Sequence, residues 1–129
     1  MELKVLFQSN KYNVRPQFYG QIKQLADFLK THPDTMVSIE GYTDNTGNKE
    51  SNLALSKQRA KAISSILTSK FKIEAPRVEA FGYGDTIPIA DNNTATGREK
   101  NRRVVAEVFS TKQQHVEKWT IYSVDKNAK

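Results

Sequence analysis

The most constraining feature of this chain is that strand patterns alternate with two amphipathic helical patterns. Four runs rich in aliphatic, β-branched and aromatic residues predict strands over 2–7, 35–42, 77–83 and 102–109. Apolar residues recur every three or four positions in two other segments, which predicts helices over about 15–30 and 49–70. A chain of this kind packs its helices on one sheet, and right-handed crossovers place both helices on the same face. We therefore predict a two-layer α/β sandwich with about four strands.

Periodicity also indicates which residues face the core. In the strand over 35–42, Val37 and Ile39 lie on the face opposite to that of Met36, Ser38 and Glu40. The predicted buried stripes of the helices are Phe18, Ile22, Leu25, Ala26 and Leu29 in the first and Leu53, Ala60, Ile63, Ile66 and Leu67 in the second.

The ends of the predicted domain are less regular. The segment 85–100 is rich in turn residues, with one helical turn expected near Ala95, and the strand over 102–109 could enter the sheet in either direction. After Thr111 the pattern weakens to a polar tail with one amphipathic patch of Trp119, Ile121, Tyr122 and Val124. We predict a domain over 1–110 and an appendage over 111–129 that packs locally or stays mobile.

Composition limits the classes of protein. The chain has 129 residues, which suit one domain with a real core, and its net charge of +6 favours acidic partners without naming one. It contains no cysteine, which excludes disulfides and thiolate metal sites but fits a reducing or an oxidising compartment. No apolar run is long enough to cross a bilayer, and the start carries no signal-peptide pattern, so we expect a fragment of mature protein.

The glycine- and asparagine-rich loop over 41–48 carries the first candidate for ligand binding, Asp44, which follows the end of a predicted strand. On the following helix, Asn52, Ser56 and Arg59 share a face, with Arg59 about 10 Å along the axis from Asn52. Asp44 could simply stabilise the turn, or form a surface salt bridge with Arg59 worth less than about 1 kcal/mol. Alternatively, Asp44 receives the ammonium and Arg59 the carboxylate of a zwitterion such as an amino-acid head group.

A second basic motif lies at the start of the last predicted strand. Side chains alternate along a strand, so one of Arg102 and Arg103 should face the helices and the other the opposite side. We expect one of these two arginines to be structural, with its aliphatic stem packed on the sheet.

Together these motifs resemble the OmpA-like C-terminal peptidoglycan-binding domain family, over about residues 5–109. The matching positions are Gly41-Tyr42-Thr43-Asp44, Asn52, Leu55-Ser56, Arg59-Ala60, Gly82-Tyr83-Gly84, Pro88, Gly97-Arg98 and Asn101-Arg102-Arg103-Val104. The resemblance implies an α/β sandwich with a mixed sheet and two main helices. It also implies non-covalent, cofactor-free binding of the Gram-negative cell wall through the diaminopimelate of the stem peptide.

The family's site residues carry over to specific positions of this chain. The resemblance implies that Asp44 and Arg59 hold the amino and carboxylate groups of diaminopimelate, and that Asn10, Asn52 and Arg102 line the same pocket. Two positions depart from the family pattern: Tyr42 stands where histidine is usual, and Ser51 where an aromatic residue often precedes the asparagine. Neither belongs to the charged pair, so we expect them to affect affinity rather than function.

Three other functions compete with this interpretation. An enzyme is disfavoured because the two histidines lie at a helix end and in the tail, with no cysteine, although a pair of carboxylates stays open. Nucleic-acid binding rests on net charge alone, without a recognition signature. The family also includes wall anchors of flagellar motors. In the main interpretation the protein is periplasmic, and a missing amino-terminal barrel or lipid anchor would attach it to the outer membrane.

Overall fold

The computed structural model of the protein describes residues 2–5, 7, 11–110 and 115–123. A five-stranded sheet forms one layer, and its strands are β1 (Glu2–Val5), β2 (Thr35–Tyr42), β3 (Val78–Gly84), β4 (Arg103–Ser110) and β5 (His115–Ser123). Their order is β1-β5-β4-β2-β3. β2 runs parallel to β3 and antiparallel to β4, while β5 runs antiparallel to β4 and parallel to β1, so the sheet is mixed.

In the described part of the chain, three α-helices accompany the sheet: α1 (Tyr19–Thr31), α2 (Lys49–Ser65) and α3 (Ala95–Asn101). A 3₁₀ turn, Pro16–Phe18, leads into α1, a wider helical turn, Ile66–Lys70, extends α2, and a 3₁₀ turn, Ala75–Arg77, precedes β3. None of the helices within the described ranges is long and apolar enough to cross a membrane. The predicted two-layer α/β class with two main helices is confirmed, and the single helical turn expected near Ala95 is the short helix α3.

The predicted count of four strands is wrong, because β5 is a fifth. It lies inside the segment predicted as an appendage, where it pairs with β4 on one side and β1 on the other. Its sequence does not alternate strictly, because Glu117 and Lys118 are adjacent charged residues and Ile121 and Tyr122 are adjacent apolar ones. The strand propensity of such a segment depends on the neighbouring strands. A domain boundary at residue 110 would therefore leave one strand of the sheet in the tail.

The core lies between the two main helices and one face of the sheet. Val37 and Ile39 of β2 are directly opposite Val108 and Ala106 of β4, and all four side chains are buried. The predicted inward face of β2 is therefore confirmed. The buried residues of the helices complete the same cluster: Ile22, Leu25, Ala26 and Leu29 from α1, and Ala60, Ile63 and Leu67 from α2 and its extension.

The end of α1 is fastened by Arg77, which precedes β3. Its Nη2 donates to the carbonyls of Leu29 and His32, at 2.8 and 3.0 Å, and its Nε donates to the carbonyl of Thr35 at 2.8 Å. The last carbonyls of a helix lack partners within the helix, and this guanidinium supplies donors in addition to the local ones that Thr35 gives the His32 carbonyl.

Helix α2 begins at Lys49 and is capped by Asn48, whose side chain accepts a hydrogen bond from the Ser51 amide at 3.0 Å. One prediction for its buried stripe is wrong, because Leu53 is 47% exposed. The inward positions here are Ser56 and Arg59, since the backbone of α2 lies directly on the sheet.

Two glycines permit this approach. A Cβ added at Gly41 would collide with the carbonyl of Ser56, and one added at Gly82 would collide with the backbone of Lys57. Because both obstacles are backbone atoms, a rotamer change cannot relieve either collision. The Gly41 and Gly82 positions therefore set the distance between α2 and strands β2 and β3.

We predict that Gly82→Ala lowers the free energy of unfolding by about 1–3 kcal/mol, because α2 must move away from the sheet. Gly20→Ala is the matched control: Gly20 lies on the exposed side of α1 with nothing within 4 Å of the added Cβ. It should stabilise the protein by about 0.5–1 kcal/mol, as expected for alanine in a helix. Urea denaturation of the two variants measures both effects, and equal stability would contradict the close contact.

Candidate ligand-binding site

The candidate site is built on the loop 43–48, which joins the carboxyl end of β2 to α2. Asp44 lies in this loop with only 5% of its surface exposed, and its Oδ1 accepts a hydrogen bond from the Thr46 amide at 2.8 Å. A side chain that bonds the backbone two residues later is the mark of an Asx turn. The structural role predicted for Asp44 is therefore present, but it occupies only one of the two carboxylate oxygens.

The second carboxylate oxygen is paired with an arginine. Arg102 Nη1 donates to Asp44 Oδ2 at 2.6 Å, and the two side chains are 12% and 7% exposed. Arg102 follows α3 directly, 58 positions after Asp44 in the chain. Such a short, enclosed, charge-assisted contact fixes the carboxylate far more firmly than a surface pair would.

Asn52 joins the loop to the helix. From the first turn of α2, its Nδ2 donates to the carbonyl of Thr46 at 2.8 Å and lies 3.5 Å from that of Asp44. The structure thus brings together three of the predicted site residues, Asp44, Asn52 and Arg102, through direct contacts or the loop backbone.

Arg59 lies two turns further along the same face of α2 and is 2% exposed. Its Nε donates to the carbonyl of Lys11 at 3.0 Å, and its Cζ lies 4.8 Å from the centre of the Phe7 ring. These contacts attach the segment before α1 to α2. Asn10, the fifth predicted site residue, lies outside the described residues.

Asn101 has a role that its sequence pattern did not indicate, and its side chain is fully buried. Its Oδ1 accepts from the amides of Ile89 and Ala90 at 2.8 and 3.0 Å, and its Nδ2 donates to the carbonyl of Ala90 and to Asn92 Oδ1 at 3.0 and 2.7 Å. Asn101 therefore holds the loop that follows β3. The only hint in the sequence was that Asn101 directly precedes two arginines. Its hydrogen-bond partners in the loop after β3 could not be inferred from the spacing of residues.

Arg102 and Arg103 lie on opposite sides of the sheet, as the alternation of side chains along a strand predicted. Arg103 faces the side of the sheet away from the helices, where its Cζ lies 3.8 Å from the centre of the Tyr42 ring. Its Nη2 also donates to the carbonyl of Ile87 at 3.2 Å. Arg103 is thus structural, whereas Arg102 contacts the candidate site.

Tyr42 lies on that same helix-free side. Its hydroxyl donates to Glu40 Oε1 at 3.2 Å, and its ring stacks on that of Tyr83 with centroids 5.4 Å apart. Burial raises the pKa of Tyr42, and the charge and hydrogen bond of Glu40 raise it further, while Arg103 opposes them in part. Tyr42, which stands where the family usually has histidine, thus lies on the side of the sheet opposite to α2. The other departure, Ser51, is exposed in the first turn of that helix.

Across the described ranges, no group of three or more histidine, aspartate or glutamate side chains could hold a metal ion. The side chains that the structure brings together here, through direct contacts or the loop backbone, are the carboxylate of Asp44, the guanidinium of Arg102 and the amide of Asn52. Such groups recognise ammonium and carboxylate functions by charge-assisted hydrogen bonds.

Comparison with known proteins defines the class of this domain. Residues 6–102 match the model of the OmpA family, so the chain belongs to the OmpA family. The resemblance noted in the sequence is thereby confirmed.

Three similar proteins illustrate the range of the family. Outer membrane porin F of Pseudomonas aeruginosa is 45% identical over 108 residues, which are 84% of this chain and 31% of that protein. The peptidoglycan-binding protein ArfA of Mycobacterium tuberculosis is 40% identical over 100 residues, which are 78% of this chain and 30% of that protein. The chain therefore spans about a third of the length of these two relatives.

The crystal structure of the peptidoglycan-associated lipoprotein from Burkholderia pseudomallei matches with a TM-score of 0.69 and 34% identity, covering 78% of this chain and 84% of that one.

The raised pKa of Tyr42 predicts a loss of stability in alkali. The folded pKa lies above the ordinary value of 10.0, so the contribution is complete below pH 10 and is lost as the pH rises above it. Between pH 10 and 11 the unfolding free energy of the wild type should fall more steeply than that of Tyr42→Phe, by up to about 1.4 kcal/mol per pH unit. Urea denaturation of both proteins across this range is the measurement, and parallel pH profiles would contradict the assignment.

Proposed function

We propose that this domain binds peptidoglycan without cleaving it, through the diaminopimelate of the stem peptide. The observation that carries the proposal is the enclosed Asp44 carboxylate, which is oriented by the Thr46 amide and Arg102. Asp44 lies on the loop that leads into α2, the helix that carries Arg59. A carboxylate held in this way is ready to receive an ammonium group without reorganising. The names of two similar proteins, which refer to peptidoglycan, support the choice of ligand.

The small exposure of the site favours the end of a ligand side chain. Asp44 is 5% exposed and Arg59 is 2% exposed, so a bulky polymer backbone could not reach either group. The free end of diaminopimelate carries an ammonium and a carboxylate on one carbon. In this proposal Asp44 receives the ammonium, and the guanidinium of Arg59, anchored through its Nε to Lys11, receives the carboxylate.

Asn10, Asn52 and Arg102 complete the proposed site. Asn52 holds the loop in place through the Thr46 carbonyl. Asn10 immediately precedes Lys11, the residue to which Arg59 is bonded, and the proposal assigns it to the wall of the pocket.

At the level of the cell, we infer that the domain anchors the outer membrane or an envelope complex to the cell wall from the periplasm. An outer-membrane porin is among the similar proteins, at 45% identity over 84% of this chain, which favours outer-membrane anchoring over a flagellar motor. An amino-terminal barrel or lipid anchor outside this chain would supply the attachment to the membrane. The domain itself would supply the attachment to the wall.

Charge-removing substitutions at the pair test the proposal. Asp44→Asn and Arg59→Gln should each weaken binding to purified diaminopimelate-containing sacculi by about ten- to a hundredfold, because each removes one charge-assisted contact. Co-sedimentation with sacculi measures binding, and circular dichroism checks that each variant is folded. Arg59→Lys provides a second variant that keeps the charge but loses the planar fork.

Two substitutions on α1 provide matched controls for the change in charge. Lys23 and Asp27 form an exposed pair at 2.9 Å, with side chains 59% and 52% exposed. Asp27→Asn and Lys23→Gln should therefore leave sacculus binding unchanged. Binding that survives in folded Asp44→Asn and Arg59→Gln would overturn the site, and release of soluble muropeptides from the sacculi would overturn the non-catalytic role.

A further inference from the structure

We propose that Ser56 is a positioning residue of the binding site: acting through Gly84, it holds the backbone before Asp44 in a fixed place relative to Arg59. This inference rests on the proposed function and adds to it a residue to which the family resemblance assigns no role in binding. It starts from a buried hydrogen bond, in which Ser56 Oγ accepts from the Gly84 amide at 2.9 Å.

The hydroxyl of Ser56 has a fixed direction. Its side chain is buried, and its proton is donated to the carbonyl of Leu53 at 2.8 Å, one turn earlier in α2. A hydroxyl has one donor proton and two acceptor lone pairs, so this bond leaves the lone pairs available to the sheet. The Gly84 amide bonds to one of them. Ser56 therefore joins α2 to the end of β3 at a defined point.

The amide of Gly84 can reach α2 because the pairing of β2 with β3 shifts by one residue at this end of the strands. Gly41 lies opposite Gly82, but Tyr42 lies opposite Gly84, so β3 carries one additional residue here. A shift of this kind changes the direction of the longer strand's backbone. Gly84 also has a φ of +59°, which favours glycine, and an added Cβ would press against the backbone of α2.

Gly84 connects Ser56 to the loop 43–48. Its amide donates to Ser56, and its carbonyl accepts from the Thr43 amide at 2.8 Å. Thr43 directly precedes Asp44 in the chain. Two consecutive hydrogen bonds thus link α2 to the residue before the proposed ligand-binding carboxylate.

The loop is attached to α2 on both sides of Asp44. On the far side, Asn52 donates from the first turn of the helix to the carbonyl of Thr46. On the near side, Ser56 acts through Gly84, one turn further along the same face of the helix. The helix that carries Arg59 therefore also fixes the backbone that carries the carboxylate.

This spacing matters because the proposed ligand presents two charges at a fixed separation. The ammonium and carboxylate at the free end of diaminopimelate are on one carbon, so Asp44 and Arg59 must keep a matching distance. Groups in a functional site usually have to be held within about 0.5 Å of their productive positions. Arg59 follows Ser56 by three residues, about 4.5 Å along the helix axis. A change at Ser56 can therefore disturb the spacing without removing either charge.

Ser56→Ala removes the acceptor and keeps both charges. We expect it to weaken the binding of free meso-diaminopimelate and of sacculi about tenfold, because the Asp44 backbone is no longer held relative to Arg59. Ser56→Cys, whose sulfur is a weaker acceptor, should lie between Ser56→Ala and the wild type. Titration calorimetry measures the affinity for meso-diaminopimelate, co-sedimentation measures that for sacculi, and circular dichroism checks the fold.

Thr35 provides the matched control. Its buried hydroxyl donates to the carbonyl of His32 at 2.6 Å and accepts from Arg77 Nη2 at 3.0 Å, so it also makes one hydrogen bond of each kind. It begins β2, at the end of the strand opposite to the candidate site. Thr35→Val and Ser56→Ala should both lower the urea midpoint of unfolding, but Thr35→Val should leave both affinities unchanged.

Amide hydrogen exchange tests the connection without a ligand. In Ser56→Ala the Gly84 amide loses its acceptor, so the amides of Gly84 and Thr43 should exchange faster. Their rates should rise by a larger factor than that of the Leu25 amide, in the middle of α1. In Thr35→Val the ratio of the Thr43 rate to the Leu25 rate should stay at its wild-type value.

The outcomes separate this inference from the proposed function. Wild-type protein that binds neither sacculi nor meso-diaminopimelate would overturn the proposed function and this inference with it. Wild-type binding that persists undiminished in folded Ser56→Ala would overturn the positioning role alone, as would an equal loss in Thr35→Val. A loss of affinity in Ser56→Ala with unchanged Thr43 exchange would also overturn it, because the hydroxyl would then not act through Gly84. A loss confined to the Ser56 variants, together with faster Thr43 exchange, supports the positioning role.

Discussion

The structure depends on the direct contact between α2 and the backbone of the sheet at Gly41 and Gly82. This contact turns Ser56 inward, where its hydroxyl accepts a hydrogen bond from the Gly84 amide at 2.9 Å. It also fixes where α2 begins, and therefore where the loop 43–48 must close. The enclosed position of Asp44 is a consequence of this packing, because a more distant helix would leave the loop open to water.

Much of this arrangement could be predicted from local patterns. The periodicity of 35–42 identified both the strand and its buried face, and the stripe of α1 was confirmed residue by residue apart from Phe18, which is only partly buried. Such segments satisfy their hydrophobic pattern within one element, so the local sequence determines them. The prediction that Leu53 is buried was wrong because its exposure depends on how closely α2 approaches the sheet.

The contacts that build the site are long-range, and this is why they could not be predicted. Asp44 and Arg102 are separated by 58 positions, and nothing in their spacing distinguishes Arg102 from Arg103 as the partner. The family resemblance supplied the candidate residues but not their pairing. The fifth strand was missed for a similar reason, since β5 is defined by its pairing with β4 and β1 rather than by its own composition.

The attachment of Arg77 to the end of α1 links two distant parts of the chain. The carbonyls of Leu29, His32 and Thr35 obtain these hydrogen bonds from a residue more than 40 positions later. The end of α1 therefore gains its contacts with Arg77 only when the chain before β3 is in place. An isolated first half would lack these contacts at the end of α1, so the two halves are expected to fold together in a single cooperative transition.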